Sequence, residues 1–155
     1  MKLHFLKSKE KKAILKELEL HYGITKLPYL LLKTGKQKIR GYSGHLSKEE
    51  IQELTRLTNV EIIGDYLISK KDQDPRISFD AIQLFKITKN ITEINNNQLQ
   101  KWLRGYDLNI PNIPRGITIL KYKEDLVGIG KSNTEKIFNY VPKERKLKIP
   151  LHSTE

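Results

Sequence analysis

The amino-acid sequence predicts an α+β fold, in which an N-terminal α-β-α-β domain is followed by a small β-barrel with one short helix. In the first half, apolar residues recur at helical spacing in two capped segments, and each segment is followed by a short apolar run. In the second half, short β-branched runs are separated by turn residues. The polar run at 69–76, which contains a proline, predicts a boundary between domains 1–72 and 75–149 and leaves 150–155 as a tail.

The first predicted helix covers residues 8–22. Ser8 is a suitable N-cap, because its hydroxyl can accept a hydrogen bond from a backbone amide of the first turn. Ile14 and Leu18 belong to an apolar stripe at helical spacing. Gly23 can adopt the left-handed conformation that commonly ends a helix.

The rest of the first domain is predicted as strand, helix and strand. Residues 27–33 are typical of a short buried strand, and residues 34–40 are predicted to form a turn with an exposed edge. The second helix begins at Ser47, which is spaced to form a capping box with Glu50. Residues 60–68 are rich in β-branched side chains and predict the second strand.

The second domain is predicted to consist of short strands around one helix. Asparagines at 95–97 can initiate that helix, Trp102 lies on its apolar face, and Gly105 ends it. A hairpin turn is predicted at Glu124 and Asp125. The strand-like segments cover residues 77–94, 116–123, 126–130 and 136–142. This pattern of short strands with one helix predicts a small barrel.

The composition favours a polyanionic partner. Lys and Arg number 29 and Asp and Glu 18, which gives a formal net charge of +11; nucleic acid is the first candidate and an anionic membrane surface the second. The absence of cysteine excludes disulfides, thiol nucleophiles and cysteine-ligated zinc. The four histidines match no metal-ligand spacing, and the longest apolar run, 29–32, is too short to span a bilayer. We expect a cytoplasmic protein with no metal, no cofactor and no membrane partner.

The sequence also gives little support to catalysis. Residues 128–132 look like the end of a phosphate-binding loop, but that motif requires a glycine where Asp125 stands. The segment also lies between two strands, so its glycines are predicted to let a strand bend and another backbone approach closely. No catalytic triad, carboxylate pair or dinucleotide fingerprint is present. We therefore predict that the protein is not an enzyme.

Two lysine-rich runs predict RNA binding, although each taken alone is also compatible with a solvated face. The first run contains Lys33, Lys36, Lys38 and Arg40. The second contains Lys143, Arg145 and Lys146 and directly follows Asn139 and Tyr140. Cations neutralise phosphates, and tyrosine and asparagine can stack on or hydrogen-bond to bases. DNA is less favoured, because no helix-turn-helix and no basic helix leading into heptads is found.

Part of the chain resembles a PUA domain. The resemblance is closest to the PUA-type module at the C-terminus of the Sun/Fmu family of rRNA cytosine methyltransferases, in which a glycine-rich strand pair precedes Asn-Tyr-x-Pro-Lys-x-Arg. It covers residues 75–149 well and residues 1–70 only by arrangement. The segments that carry it are 102–108, 115–119, 126–131 and 138–145. The whole chain is similar to a small archaeal group in which a pre-PUA domain precedes a PUA domain without a methyltransferase.

The resemblance implies a pseudo-barrel that contacts RNA through its helix, the adjacent loop glycine and nearby strands. Trp102 is expected in the core, whereas the flanking positions are expected at the surface. The residues that this implication assigns to RNA contact are Arg104, Gly105, Tyr106, Arg115 and Gly116. Lys143 and Arg145 match the motif, and their charge, like that of Lys131 and Lys146, adds them to the predicted RNA-binding set.

The predicted function is that of a non-catalytic protein that binds structured ribosomal RNA, as a ribosome assembly factor or a ribosomal subunit component. Ribosomal proteins are then possible partners. The alternative is an RNA-recognition subunit that acts in trans for a separate tRNA- or rRNA-modifying enzyme. An exposed apolar patch on the N-terminal domain would favour that alternative.

Overall fold

The computed structural model describes residues 3–60, 62–71 and 74–151. The chain divides into two compact units, Met1–Ile87 and Thr88–Glu155. Each unit contains its own sheet, and the described residues form three α-helices in all. The protein therefore has the mixed α+β class that the sequence predicts.

The first unit has a five-stranded antiparallel sheet in which the strands lie in chain order. Its elements are β1 (His4–Phe5), α1 (Ser8–Tyr22), β2 (Leu30–Thr34), β3 (Lys38–Tyr42), α2 (Lys48–Leu57), β4 (Asp65–Ser69) and β5 (Arg76–Ile77). The two predicted helices and the two predicted strands are present. Three further strands, β1, β3 and β5, complete the sheet.

Both helices of this unit begin with the local interactions that their sequences favour. In α1 the N-cap is Lys7, one residue before the predicted cap, and its backbone N–H donates to the Glu10 carboxylate at 3.2 Å. Gly23 ends α1 with a φ of +72°. In α2, Ser47 and Glu50 form the predicted capping box, with two reciprocal hydrogen bonds of 3.1 Å. The side chains that α1 buries are Ile14, Leu18 and Tyr22.

The segment predicted as a turn with an exposed edge contains the turn, at residues 35–37, but the part from Lys38 onward is an inner strand and not an edge. β3 pairs with β2 on one side and with β4 on the other. Its Ile39 is almost fully buried, at 1% exposure. Gly41 lets neighbouring side chains pack against the backbone, because a Cβ there would lie 2.4 Å from Leu67 Cδ1. The lysine and arginine side chains around Ile39 make this segment look solvent-exposed when only its local polarity is considered.

The units divide after Ile87, not at the polar run where the sequence placed the boundary at 72–75. β5 pairs with β4, and the Ser78 hydroxyl donates to the Tyr66 carbonyl at 2.6 Å. A 3₁₀ helix at Asp80–Leu84 follows and buries Ile82. Residues 77–94 were predicted to be strand-rich, but they contain this helix and only short strands. The polar run is thus a connection within one sheet.

The second unit has a four-stranded sheet and one helix. Its elements are β6 (Ile91–Glu93), α3 (Asn96–Leu103), β7 (Gly116–Tyr122), β8 (Asp125–Ser132) and β9 (Ile137–Asn139), followed by a 3₁₀ turn at Lys143–Arg145. The sheet order is β6-β7-β8-β9; β6 runs parallel to β7, and the other pairs are antiparallel. The Asn95 side chain caps α3 by accepting from Gln98 N at 2.9 Å.

Trp102 packs in the core of this unit, as predicted. Its side chain has no exposed surface, and its indole N–H donates to the Val127 carbonyl at 3.0 Å. Gly128 and Gly130 make room for the ring, since a Cβ on either would lie within 2.8 Å of an indole atom. The glycine pair therefore lies within β8 under the indole ring, not in a loop that opens a helix.

Candidate nucleic-acid interface

The C-terminal end of α3 forms a turn that requires glycine. Gly105 has a φ of +93°, a conformation that other residues rarely adopt. Its N–H donates to the Trp102 carbonyl at 3.0 Å, and Tyr106 N donates to the Lys101 carbonyl at 3.1 Å. The turn displays Tyr106, whose side chain is prominent at the surface with 55% exposure. An exposed aromatic ring held on an ordered turn can stack on a nucleic-acid base.

The side chain of Asn139, the last residue of β9, joins this turn to the strand by hydrogen bonds. Its amide nitrogen donates to the carbonyls of Trp102 at 2.8 Å and Tyr106 at 3.0 Å. Its side-chain oxygen accepts from Val141 N at 2.8 Å, and its backbone N–H donates to the Asp107 carboxylate at 2.8 Å. The amide is thus engaged within the protein. Asn139, predicted to contact RNA, is placed where it positions Tyr106.

Arg104 connects α3 to the basic tail. Its Nη1 donates to the Gln100 carbonyl at 2.8 Å and to the Gln100 side-chain oxygen at 2.9 Å. Its Nε donates to the Ile149 carbonyl, and Leu147 N donates to the Leu103 carbonyl at 2.8 Å. These bonds fold the tail against the end of the helix. Arg104 therefore has a structural role in addition to its positive charge.

The tail cations differ in their surroundings and exposure. Lys146 lies over Gly105, where a Cβ would be 2.6 Å from Lys146 Cδ. Lys143 and Arg145 are exposed in the 3₁₀ turn, and Tyr140, between β9 and that turn, is half-buried. The structure thus brings Arg104, Gly105, Tyr106 and Lys146 together at one end of α3.

A second group lies where β7 begins and β8 ends. Gly116 pairs with Ser132 across these strands, so Arg115 and Lys131 lie at the same end of the hairpin. Gly116 has a φ of +121°, and nothing lies within 4 Å of where its Cβ would be. The Ser132 hydroxyl donates to the Ile113 carbonyl at 2.8 Å and fixes the loop before β7. Arg115 and Lys131 are exposed, with no side-chain hydrogen bond or ion pair to any described residue.

This group continues across β9 towards Tyr106. Lys131 and Phe138 are directly paired across β8 and β9, so their side chains share a face. Lys136 Nζ lies 4.7 Å from the centroid of the Phe138 ring and 3.8 Å from Asp107 Oδ2, next to Tyr106. We call this region the strand-end surface; it consists of Tyr106, Arg115, Gly116, Lys131, Lys136 and Phe138.

Two members of the strand-end surface, Lys136 and Phe138, were missed by the sequence analysis. Their alternation around buried Ile137 places both on one face of β9. That alternation was visible in the sequence. The pairing of Phe138 with Lys131, by contrast, depends on a long-range register that local sequence does not reveal.

In the first unit, the predicted cluster separates into two environments. Lys33 Nζ forms an ion pair of 2.7 Å with Glu10, and this hydrogen bond, with that from the Lys7 backbone, lowers the pKa of the Glu10 carboxyl. Lys36, Lys38 and Arg40 instead line a common pocket. Three members of the predicted cluster thus line one pocket, and Lys33 lies outside its lining.

The described residues contain neither a cluster of metal-ligand side chains nor a membrane-spanning helix. Across residues 3–60, 62–71 and 74–151, no three His, Asp or Glu side chains come together as metal ligands would. No helix in that part of the chain has the length and apolarity needed to cross a bilayer.

Comparison with known proteins identifies the second unit. The family model described as the methyltransferase RsmF PUA domain matches residues 89–147, from the approach to β6 to the docked tail. The second unit is a PUA-type module. The resemblance predicted from the sequence is therefore confirmed for this part of the chain. PUA domains generally bind RNA.

A solved structure supports the same fold. The structure of a conserved PUA domain protein from Thermoplasma acidophilum is similar with a TM-score of 0.59 and 15% sequence identity. The match covers 93% of this chain and 97% of that chain. At this identity the likeness establishes the fold alone. No curated protein is significantly similar in sequence.

Proposed function

We propose that this protein binds structured RNA through the strand-end surface of its PUA module and catalyses no reaction. The observation that carries the proposal is the position of Arg115 and Lys131, two exposed cations without partners among the described residues, beside open Gly116 and aromatic Phe138. Exposed cations at a sheet end can neutralise consecutive phosphates. The open space at Gly116 allows a nucleic-acid backbone to approach the protein backbone.

Aromatic side chains supply the second component of this interface. Phe138 lies beside Lys131 on the strand-end surface, and Tyr106 is exposed on the turn that Asn139 joins to the same strand, β9. Rings of this kind stack on unpaired bases at loops or ends of RNA, whereas the cations follow the adjoining phosphates. The arrangement therefore suits a stem with an unpaired end better than a uniform duplex.

We further propose that the RNA is ribosomal and that the protein acts in the cytoplasm as an assembly factor or a subunit component. The support is the resemblance of the module to those of rRNA cytosine methyltransferases, together with the net charge of +11. Crosslinking in cells, followed by sequencing of the attached RNA, tests this proposal. We expect rRNA reads clustered at one structured site; reads spread in proportion to RNA abundance would contradict it.

The two ribosomal roles differ in their behaviour during fractionation. A subunit component should remain on mature subunits through a high-salt wash, whereas an assembly factor should sediment only with precursors. Sucrose-gradient fractions probed for the protein before and after the wash distinguish the two.

A second candidate function is RNA recognition on behalf of a separate modifying enzyme. The observation that favours it is the apolar surface of α2, where Leu54 and Leu57 are 41% and 76% exposed, preceded by Leu46 at 40%. Such a surface can dock on a protein partner. Purification from ribonuclease-treated lysate tests this role, because it predicts a stoichiometric enzyme partner that is lost on Leu57→Gln.

A further inference from the structure

The first unit contains a pocket of about 540 Å³ beside the β2–β3 turn. This volume lies within the range of small-molecule sites, roughly 300–1,000 Å³. One wall is the turn and the start of β3; the other includes Ile62, Ile63 and the end of β4. We call it the hairpin pocket. Its described lining residues include four cations, Lys36, Lys38, Arg40 and Lys71, and no acid.

The cations of the hairpin pocket retain unused donors. Lys36 and Lys71 make no side-chain hydrogen bond or ion pair to any described residue. Arg40 donates from Nη1 to the Gly64 carbonyl at 3.0 Å, which leaves its other guanidinium N–H groups available. Lys38 Nζ lies 5.1 Å from the Tyr66 ring centroid. Among the described residues of the lining, these like charges are held together with no carboxylate to neutralise them, as at a site for an anion.

Ser69 adds a buried donor. Its side chain lines the pocket, and the residue is only 6% exposed. Its hydroxyl oxygen accepts from Lys71 N at 3.2 Å, but its hydrogen has no acceptor among the described residues. Buried hydroxyls are almost always satisfied, so an unmatched hydrogen at a pocket wall indicates a ligand oxygen or water there.

The rest of the lining is apolar. Leu32 is 1% exposed, and Ile62 presents 67% of its surface. Leu3 and Ile63 complete this aliphatic side of the pocket. A simple inorganic anion would gain nothing from such a wall. A ligand that has an anionic group at one end and an apolar face at the other fits both parts of the lining.

We propose that the hairpin pocket binds one nucleotide, with its phosphate on the cations and Ser69 and its base against the aliphatic wall. The nucleotide is either a free mononucleotide or the unstacked terminal nucleotide of an RNA, and in the second case the inference rests on the proposed function. In that second case the RNA has two contacts with the protein, the strand-end surface and the pocket, and the pocket recognises one phosphorylated end.

The test uses the full chain and three small probes: adenosine 5′-monophosphate, adenosine and inorganic phosphate. We expect the monophosphate to bind and the two fragments to bind at least about tenfold more weakly, because each satisfies one part of the lining. Equal binding of inorganic phosphate and the monophosphate would overturn the assignment of the apolar wall. Absence of saturable binding of both the monophosphate and a 5′-phosphorylated oligonucleotide would overturn the proposal.

Matched variants test whether the monophosphate binds in the hairpin pocket. Lys36→Gln with Lys71→Gln removes two pocket cations, whereas Lys33→Gln with Lys70→Gln removes two neighbouring cations outside the lining. Both pairs lower the net charge equally. We expect the pocket pair to lose about tenfold in affinity for the monophosphate and the control pair to remain within about twofold. Equal losses would show a general charge effect and overturn the pocket.

Two short RNA oligonucleotides separate the sources of the nucleotide. If the site takes an RNA terminus, a 5′-phosphorylated oligonucleotide binds more tightly than its 5′-hydroxyl counterpart and competes with the monophosphate. If the site takes a free nucleotide, the two oligonucleotides bind alike and do not compete. Structured-RNA binding that persists without nucleotide binding overturns the pocket alone; nucleotide binding without structured-RNA binding supports the pocket and contradicts the proposed function.

Discussion

The PUA module and the first unit both present cations, but they arrange them in different ways. On the strand-end surface, Arg115 and Lys131 lie along the end of a sheet with aromatic neighbours. In the hairpin pocket, Lys36 and Lys71 face a concavity with an apolar wall. An open row of charges suits a chain of phosphates, whereas converging charges suit one phosphate group. Cations that look alike in a sequence can thus suit ligands of different size.

The largest effect is expected from Trp102→Ala. Loss of a fully buried tryptophan costs about 3–5 kcal/mol, and β8 then loses the ring that packs on its glycines. Circular dichroism during thermal denaturation measures the loss. If the two regions work separately, RNA binding fails and monophosphate binding by the first unit survives. Loss of both activities would contradict the claim that the two regions work separately. Tyr106→Ala, at an exposed position, serves as the stability control.

Asn139→Asp should have the next largest effect. The carboxylate cannot donate to the carbonyls of Trp102 and Tyr106, and its charge faces both of them. We expect a loss of about 2 kcal/mol in unfolding free energy, together with weaker RNA binding through a displaced Tyr106. Chemical denaturation measures it against Asn109→Asp, an exposed position with the same charge change. An unchanged stability would mean that Asn139 does not hold the turn.

Arg115→Gln combined with Lys131→Gln tests the strand-end surface. We expect affinity for structured RNA to fall by about tenfold, and the slope of log K against log salt to become shallower by about two. Lys123→Gln, at the opposite end of the same hairpin, should change neither. Fluorescence anisotropy at several salt concentrations gives both quantities. A loss that is equal for Lys123→Gln would assign the effect to net charge.

Arg104→Ala separates structural from contact roles at the end of α3. Its hydrogen bonds to Gln100 and Ile149 are partly exposed, so we expect a cost of about 1 kcal/mol. The tail should then be cleaved faster by trypsin at Lys143 and Arg145. RNA affinity should fall less than in the Arg115 and Lys131 double variant. A larger loss in affinity, with unchanged proteolysis, would make Arg104 a direct contact.

Glu10→Gln should have the smallest effect. The ion pair with Lys33 lowers the pKa of Glu10 in the folded protein. The carboxylate therefore stabilises the fold at pH values above its pKa in the unfolded chain. That contribution is lost as the pH falls through the folded pKa. The variant should therefore be slightly less stable than the natural protein at neutral pH and equal to it in acid. Thermal denaturation across this pH range checks the prediction; monophosphate binding should stay the same.

Local sequence signals predicted the elements that depend on local interactions. The capping residues of α2 and α3, the glycine that ends α1 and the burial of Trp102 all follow from neighbours in sequence. β3 was missed because its burial comes from strands on both sides. The domain boundary was displaced for the same reason, since β5 returns to β4 after a polar connection.

Site prediction from the sequence had a comparable limit. The family resemblance named Arg115, and charge named Lys131 and three of the residues that line the hairpin pocket. They could not distinguish Lys33, which α1 neutralises through Glu10, from Lys36 three residues later. Lys71 joins the pocket only through the pairing of β3 with β4. Which cations remain unpaired is a property of the tertiary fold.

The parallel pairing of β6 with β7 also sets the order in which the second unit can be built. Ile91 pairs with Ile119, so β6 must wait for α3 and the following loop to be synthesised before its partner exists. Pairings of such sequence separation slow folding, because a long segment must close before any contact compensates its entropy. During translation, β6 should therefore show the longest delay of the four strands between its synthesis and its protection from hydrogen exchange.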